Sequence, residues 1–388
     1  MGNNQRNNQQ SRFRPAETQI YKGIAVILLL MHHGLQFTQS ELAAMPFYGW
    51  DAHLYFFTKL CVGIFALVSG YGLCLSFSKH LNRFKAQNLK SEFHNRSTVT
   101  NLLQRLFFSY RYILSRIIKI MTTYWLAFLI VVGLGVIIHG NLEVIYPDQT
   151  VKFFLNDFFA LSWLAKTPKF VNSWWYVSAI VIYYLFFPIF YFLFERLKRF
   201  KWVGVVMLIV FTSMTLWLKS STFWVYGYIF ITGVIAAKWN MVESFFVPKF
   251  NSLKNLVLQG VGYLIMLGII FLFRHTFLIH SSLSNIRFYM LDGIIILFGI
   301  YFIVLLGRIN WLTKALTFLG NYSFEIFLTH AFFIRHLNFV IYFDHNPALI
   351  LIRLFLLSIP FAVCVSKLYD FLRLPRLTKT IERKLLGQ

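Results

Sequence analysis

The sequence predicts an all-α polytopic membrane protein with about ten transmembrane helices and both termini cytoplasmic. Three observations lead there. Hydrophobic residues make up 58% of the 388-residue chain and charged residues 13%, far from the balance of a soluble domain. Apolar runs long enough to cross about 30 Å of hydrocarbon recur along its length. With the N-terminus inside, 28 of the 37 lysines and arginines fall in residues 1–22, 78–119, 195–201, 238–254, 307–320 and 367–388. Those are alternate connections, as expected if cytoplasmic loops hold the excess of positive charge.

Taken in order, residues 1–15 are rich in Asn, Gln and Arg and read as a disordered cytosolic tail. A single transmembrane domain is expected over 16–375, followed by a basic cytosolic tail, 376–388. The spans begin near Ile20, Leu54, Ile117, Trp174, Trp202, Phe223, Leu256, Phe288, Phe324 and Leu349. The sixth, Phe223 to Ala237, is short, which suits a less tilted or partly re-entrant segment. No small-residue cleavage site follows the first span, so it is read as a retained helix rather than a signal peptide. In the long cytosolic loop 78–115, Lys79, Arg83, Lys85, Lys90 and Arg96 precede Leu102, Leu103, Leu106, Phe107 and Phe108. That is the pattern of an amphipathic segment on the inner leaflet. The external loop 140–173 carries Glu143, Asp148 and Asp157 among aromatic residues and is placed to cover an outward-facing cavity.

The same reading excludes several functions. A net charge of +23 spread over several loops is a signal of topology and lipid headgroups, not of nucleic-acid binding. Cys61, Cys74 and Cys364 lie inside apolar spans as small buried thiols, with no disulfide framework and no metal-ligand spacing. No repeat and no second soluble domain is apparent.

Lys22 and His33 are the most informative residues. Eleven positions at about 100° each come within about 20° of three helical turns, so both share one face of the first span, roughly 16 Å apart. A cation at the cytosolic mouth thus lines up with an imidazole near mid-depth. Ionisable groups in a membrane helix are costly and mark functional sites by default. His32 is turned about 100° away and faces a different partner. Asp292, Glu325, His330, Arg335 and Arg353 are further ionisable groups at or within spans, where mutual pairing is expected.

Five stretches carry a resemblance. Lys22-Gly-Ile-Ala-Val-Ile-Leu-Leu-Leu-Met-His32-His33 resembles the first helix of the acyltransferase 3 family of membrane acyltransferases. Phe65-Ala-Leu-Val-Ser69-Gly70-Tyr71 is similar to its second-span Ser-Gly-Tyr/Phe motif, and Arg116-Ile-Ile-Lys119 to the basic pair before its third span. Trp174-Trp175-Tyr176-Val177-Ser178-Ala179 resembles the tryptophan-rich opening of its fourth span, and Tyr322-Ser323-Phe-Glu325-Ile-Phe-Leu-Thr-His330 a Ser/Tyr-rich stretch near its end. There are departures. Ala179, Ile180 and Val181 stand where many members carry a glutamate, which is similar to the branch acting on surface polysaccharides and removes a fourth-span carboxylate from the chemistry. The basic pair is Arg-x-x-Lys rather than Arg-x-x-Arg, which keeps phosphate attraction but loses one bidentate fork. No esterase-like domain follows the last span, so an acyl relay of that kind would need a separate protein.

The resemblance implies transfer of an acyl group, most often acetyl, from acyl-CoA (acetyl-CoA) to a hydroxyl of a glycan being built or exported. No permanently bound cofactor is expected. The expected partners are acyl-CoA as donor substrate, a glycan or lipid-linked glycan acceptor, membrane lipids, and polysaccharide synthesis or export proteins. The expected location is the cell membrane, as in a bacterial cytoplasmic membrane. A sugar hydroxyl is a weak nucleophile that benefits from a general base, and His33 is the natural choice. Lys22, Arg116 and Lys119 either bind the phosphates of coenzyme A or are ordinary positive-inside anchors. Ser69 either donates to the thioester oxygen or serves close packing beside Gly70. Trp174, Trp175 and Tyr176 either stack on a sugar or form an interfacial belt. Glu325 and His330 read first as helix-stabilising and second as acceptor-binding. The rival class is a transporter or flippase exporting the glycan, which would more commonly show internal repeats. A scaffold for a polysaccharide synthase would leave the alignment of Lys22 with His33 unexplained.

Overall fold

The structure is a computed structural model that describes residues 13, 15–36, 57–90, 98–197, 222–248, 252–280, 291–344 and 346–387. The described residues form helices and connecting turns, with no strand among them. Five helices are long and apolar enough to cross a membrane: Leu60–Gln87, Leu103–His139, Asn172–Leu197, Leu253–Phe273 and Pro347–Phe371. They fall at the second, third, fourth, seventh and tenth expected spans. Two shorter apolar helices, α7 (Thr222–Lys238) and α9 (Leu291–Leu306), fall at the sixth and eighth. The first and ninth expected spans are helices α1 (Pro15–Gln36) and α11 (Ser323–His336). The fifth, from Trp202, and residues 1–12 of the N-terminal tail lie outside the described residues.

The described chain divides into two compact units. One comprises Met1–His32, Leu42–Leu75 and Phe190–Ser323. Its helices approach at glycines: a Cβ on Gly70 would collide with the Phe230 carbonyl oxygen, and one on Gly233 with that of Leu67. Only a hydrogen fits where two membrane helices cross this closely. Tyr71, next to Gly70, donates its hydroxyl to Glu243 at 2.8 Å, and Tyr21 donates to the Ile296 carbonyl at 2.6 Å. Helix α8 (Leu253–His280) is different. None of its most apolar window is buried, so its Leu and Ile side chains suit hydrocarbon rather than a protein neighbour.

The other unit comprises His33–Glu41, Ser76–Ile189 and Phe324–Gln388. Its centre is α3 (Thr98–His139), a 42-residue helix. The stretch 78–115, expected as a cytosolic connection with an amphipathic segment, is helical over 78–90 and 98–115. Helix α2 (Leu60–Lys90) runs on beyond its apolar part and α3 begins at Thr98. The physical reason is compositional: residues 78–90 and 98–115 contain no glycine or proline, so neither helix is broken within those stretches. Phe84 stacks on Phe108 at 4.4 Å, and Tyr112 donates to Ser76 at 2.8 Å. Leu103, Phe107, Tyr110 and Leu114 form an exposed stripe at helical spacing on α3, whereas Phe108, expected on the same apolar face, is buried. Helix α13 (Pro347–Phe371) starts where the Asn346 side chain accepts from the Ala348 and Leu349 amides, with proline in the first turn. The expected basic tail is helical: Leu374–Leu386 forms an amphipathic helix, α14, lying against α3.

Candidate functional site

His33 lies in the last turn of α1 and His330 in the middle of α11. Their ring centroids are 5.0 Å apart. The end of α1 is fixed from two sides. Tyr342 donates to the Gly34 carbonyl at 3.2 Å. A Cβ on Gly34 would meet Leu354 and Leu351 of α13 at 3.1 and 3.2 Å, so the helix can approach α13 closely at this position. The adjacent His33 ring is thereby held against α11, half-buried.

His330 is fully buried. Its Nδ1 lies 3.0 Å from the carbonyl oxygens of both Ile326 and Phe327. Carbonyl oxygens only accept, so Nδ1 carries the hydrogen and Nε2 the lone pair. Nε2 has no hydrogen-bond partner in the structure. Phe327, one turn earlier, packs near the His330 ring at 6.3 Å and edge-on to Tyr176 at 5.7 Å. Trp174 donates its indole N–H to the Leu328 carbonyl at 2.9 Å, two residues before His330. Its ring is 2% exposed and packs against Tyr124 and Phe128. Both its face and its donor are thus spent on the protein. Trp175 and Glu325 are half-buried.

The other expected site residues sit elsewhere. Arg116, on α3, forms an ion pair with Glu382 of α14 at 2.7 Å. Its guanidinium covers the Tyr112 ring at 4.8 Å. Arg111, about one turn away, donates to the Lys384 carbonyl at 3.1 Å. Lys119 is exposed. Arg116 therefore docks the C-terminal helix, a role the sequence did not suggest. Lys22 and Ser69 belong to the first unit, both half-buried. Lys22 lies on the same helix as His33, as the eleven-residue spacing required. Next to Ser69, Gly70 is a point of close helix approach.

Two clusters in the second unit escaped the sequence reading. His139 and His336 join Nε2 to Nδ1 at 2.8 Å, and His336 stacks on Phe170 at 4.2 Å. Arg335 donates to the Lys169 and Phe170 carbonyls at 2.9 and 3.1 Å. The second cluster surrounds Asp157, whose carboxylate is buried in the loop 140–173. It accepts from the Tyr146 hydroxyl at 2.9 Å and the Phe170 amide at 2.8 Å. Burial pushes its carboxyl up to about 6, against the lowering effect of those hydrogen bonds. The acidic residues of that loop were visible in the sequence, but the one that turns inward was not. Among the described residues no three potential ligands gather as a metal site.

Compared with known proteins, the chain matches an acyltransferase domain family over residues 19–368, nearly its whole length. No curated protein and no solved structure matches it. The match spans the helices that carry Lys22, His33, Arg116, Trp174 and His330. Together with the five long apolar helices, it establishes that this multi-pass membrane protein belongs to the acyltransferase 3 family.

Proposed function

We propose that the protein moves an acyl group, acetyl in the first instance, from cytosolic acyl-CoA to a hydroxyl of a cell-surface or exported glycan. His33 acts as general base. The observation that carries this reading is the meeting of half-buried His33 with buried His330 in a member of an acyltransferase family. In the proposed reaction the acceptor hydroxyl gives its proton to a ring nitrogen of His33 as its oxygen attacks the thioester carbonyl. The C–S bond then breaks, and the departing thiolate takes the proton from the imidazolium, which restores neutral His33.

The donor enters from the cytosolic side; in the second unit Lys119, and Arg116 when it is released from Glu382, attract phosphate, and Lys22 is proposed to do so within the first unit. Ten spans with both termini in the cytosol of a bacterial cytoplasmic membrane give that arrangement. Trp175, Tyr176 and Glu325 are proposed to line the acceptor side, and Trp174 to hold its frame. The glycan arrives free or lipid-linked, delivered by polysaccharide synthesis or export proteins.

The test uses radiolabelled acetyl-CoA and purified protein in lipid, with wild type compared with His33→Ala at matched amounts. Label on a glycan acceptor only with His33 intact is the expected result. Absence of turnover by either protein across a broad panel of acyl donors and glycan acceptors would overturn the reading.

A further inference from the structure

A histidine that serves as a base works best when one of its nitrogens is tied down, because the bond made by one nitrogen decides which face of the ring keeps the lone pair. The acyl-transfer reading above asks this of His33, and the structure offers an acceptor for the purpose. His330 spends its Nδ1–H on two carbonyls of its own helix. That leaves Nε2 as a fully buried acceptor with no partner. Buried polar atoms in native proteins are nearly always paired, so an orphan of this kind needs an explanation. The His33 ring is 5.0 Å away. In the pair His139 and His336 the same ring separation, 5.0 Å, accompanies a nitrogen-to-nitrogen distance of 2.8 Å. A centroid separation of 5.0 Å is thus compatible with one N–H···N bond between imidazoles when the rings are turned edge to edge.

We propose that His330 is a positioning residue whose Nε2 accepts the N–H of His33 during turnover, fixing the tautomer in which the other nitrogen of His33 faces the acceptor hydroxyl. The hydrogen bonds then run in one direction. The acceptor O–H points to His33, His33 N–H to His330 Nε2, and His330 Nδ1–H to the carbonyls of Ile326 and Phe327. Bonds aligned in this way polarise one another. The hydroxyl proton moves to His33 and leaves with the thiolate, while His330 neither gains nor loses a proton. A neutral acceptor also suits the interior of a membrane, where a carboxylate in the same position would add a second charge.

The experiment measures label transfer from radiolabelled acetyl-CoA to the endogenous glycan in membranes of the producing cells. It compares wild type, His330→Gln and His330→Phe, each with and without His33→Ala. Glutamine keeps an acceptor oxygen near the place of Nε2 but has no basic nitrogen, and phenylalanine keeps the ring without an acceptor. Each variant is checked for monodispersity and melting temperature, and His330→Leu replaces His330→Phe if the latter does not fold. We expect His330→Gln to retain transfer within about tenfold of wild type and His330→Phe to lose about 100-fold or more. His330→Phe should cost nothing further once His33 is alanine, because the two residues act as a unit. The proposal is overturned if glutamine is as inactive as phenylalanine, since His330 would then itself take the proton. It is also overturned if both variants match wild type, or if the losses multiply in the double variant as for a structural residue. Failure of the acyl-transfer reading is distinguishable: wild-type membranes would transfer no label, or His33→Ala alone would transfer normally whatever stands at position 330.

Discussion

Among the described residues, one compact unit holds two imidazole pairs, each with rings 5.0 Å apart. At His139 and His336 the nitrogens bond at 2.8 Å, and His336 also stacks on Phe170. The adjacent Arg335 ties down two carbonyls. At His33 and His330 one ring is anchored to its own helix and keeps a buried nitrogen without a partner. A saturated pair is held by its hydrogen bonds and works as a fastening. A pair with a spare acceptor carries a desolvation cost of about 1–3 kcal/mol, which is expected where its donor, the His33 N–H, turns onto it only during turnover. Residue type alone does not separate a fastening from a reactive site; the state of its hydrogen bonds does.

The largest effect should fall on the unsaturated pair. His33→Ala is expected to lower acyl transfer by about 10²–10⁴-fold, the usual contribution of a general base, with little change in melting temperature. Transfer assays at matched amounts of folded protein check this, and wild-type rates from the variant would remove the contrast between the pairs.

How much of this was legible beforehand depends on which residues are asked about. Lys22 and His33 were found because helical periodicity is local: eleven positions define one face without any knowledge of neighbours. The same holds for the apolar helices, whose length and composition suffice. His330 was named, but its role could not be read, because its meeting with His33 joins positions about 300 residues apart and its tautomer depends on carbonyl geometry. Arg116 was read as a phosphate ligand or anchor. Its partner Glu382 lies in a tail read only as basic, and one acidic residue among basic ones gives no signal of long-range pairing. In the connection 78–115 the amphipathic segment was read from its charges and apolar run, whereas the helical extent of 78–90 and 98–115 suits their lack of glycine and proline.

The next effect sharpens the saturated side through Phe170, whose amide donates to Asp157 and whose ring lies on His336. Burial raises the Asp157 carboxyl from 3.8 to about 6. A raised folded-state value means that the native loop holds its proton more tightly than the unfolded chain does. The stabilisation is therefore fully present below about 3.8 and is lost as pH rises through about 6. At about 1.4 kcal/mol per pKa unit this is on the order of 3 kcal/mol. Asp157→Asn keeps an oxygen for Tyr146 and Phe170 but cannot titrate. Its melting temperature should vary less between pH 4 and pH 6 than that of wild type, by this amount at most. Parallel curves for the two proteins would count against the buried, protonated Asp157.

A smaller change is expected at His336. Replacing it by phenylalanine keeps an aromatic ring on Phe170 but leaves His139 without its partner, for a loss of about 1–2 kcal/mol in stability. Transfer activity should stay within a few-fold of wild type. Thermal melts and transfer assays on the same preparation test both halves, and an inactive but stable His336→Phe would move this pair to the reactive side of the comparison.

The smallest effect concerns Arg116, which shows both characters at once. One guanidinium nitrogen is fastened to Glu382 at 2.7 Å, while its Nε is buried and unpartnered. The two side chains are 22% and 27% exposed, so solvent screens the pair and Glu382→Gln should cost less than about 1 kcal/mol. If Arg116 also attracts the donor's phosphates, Glu382 competes with them, and its neutralisation should lower KM for acetyl-CoA about two- to threefold with kcat unchanged. Raising the salt concentration should narrow that difference, because it screens the phosphate attraction. An unchanged KM in Glu382→Gln, together with an unchanged KM in Arg116→Gln, would leave Arg116 as a fastening for the C-terminal helix alone. It would then belong with His139 and His336 rather than with the site at His33.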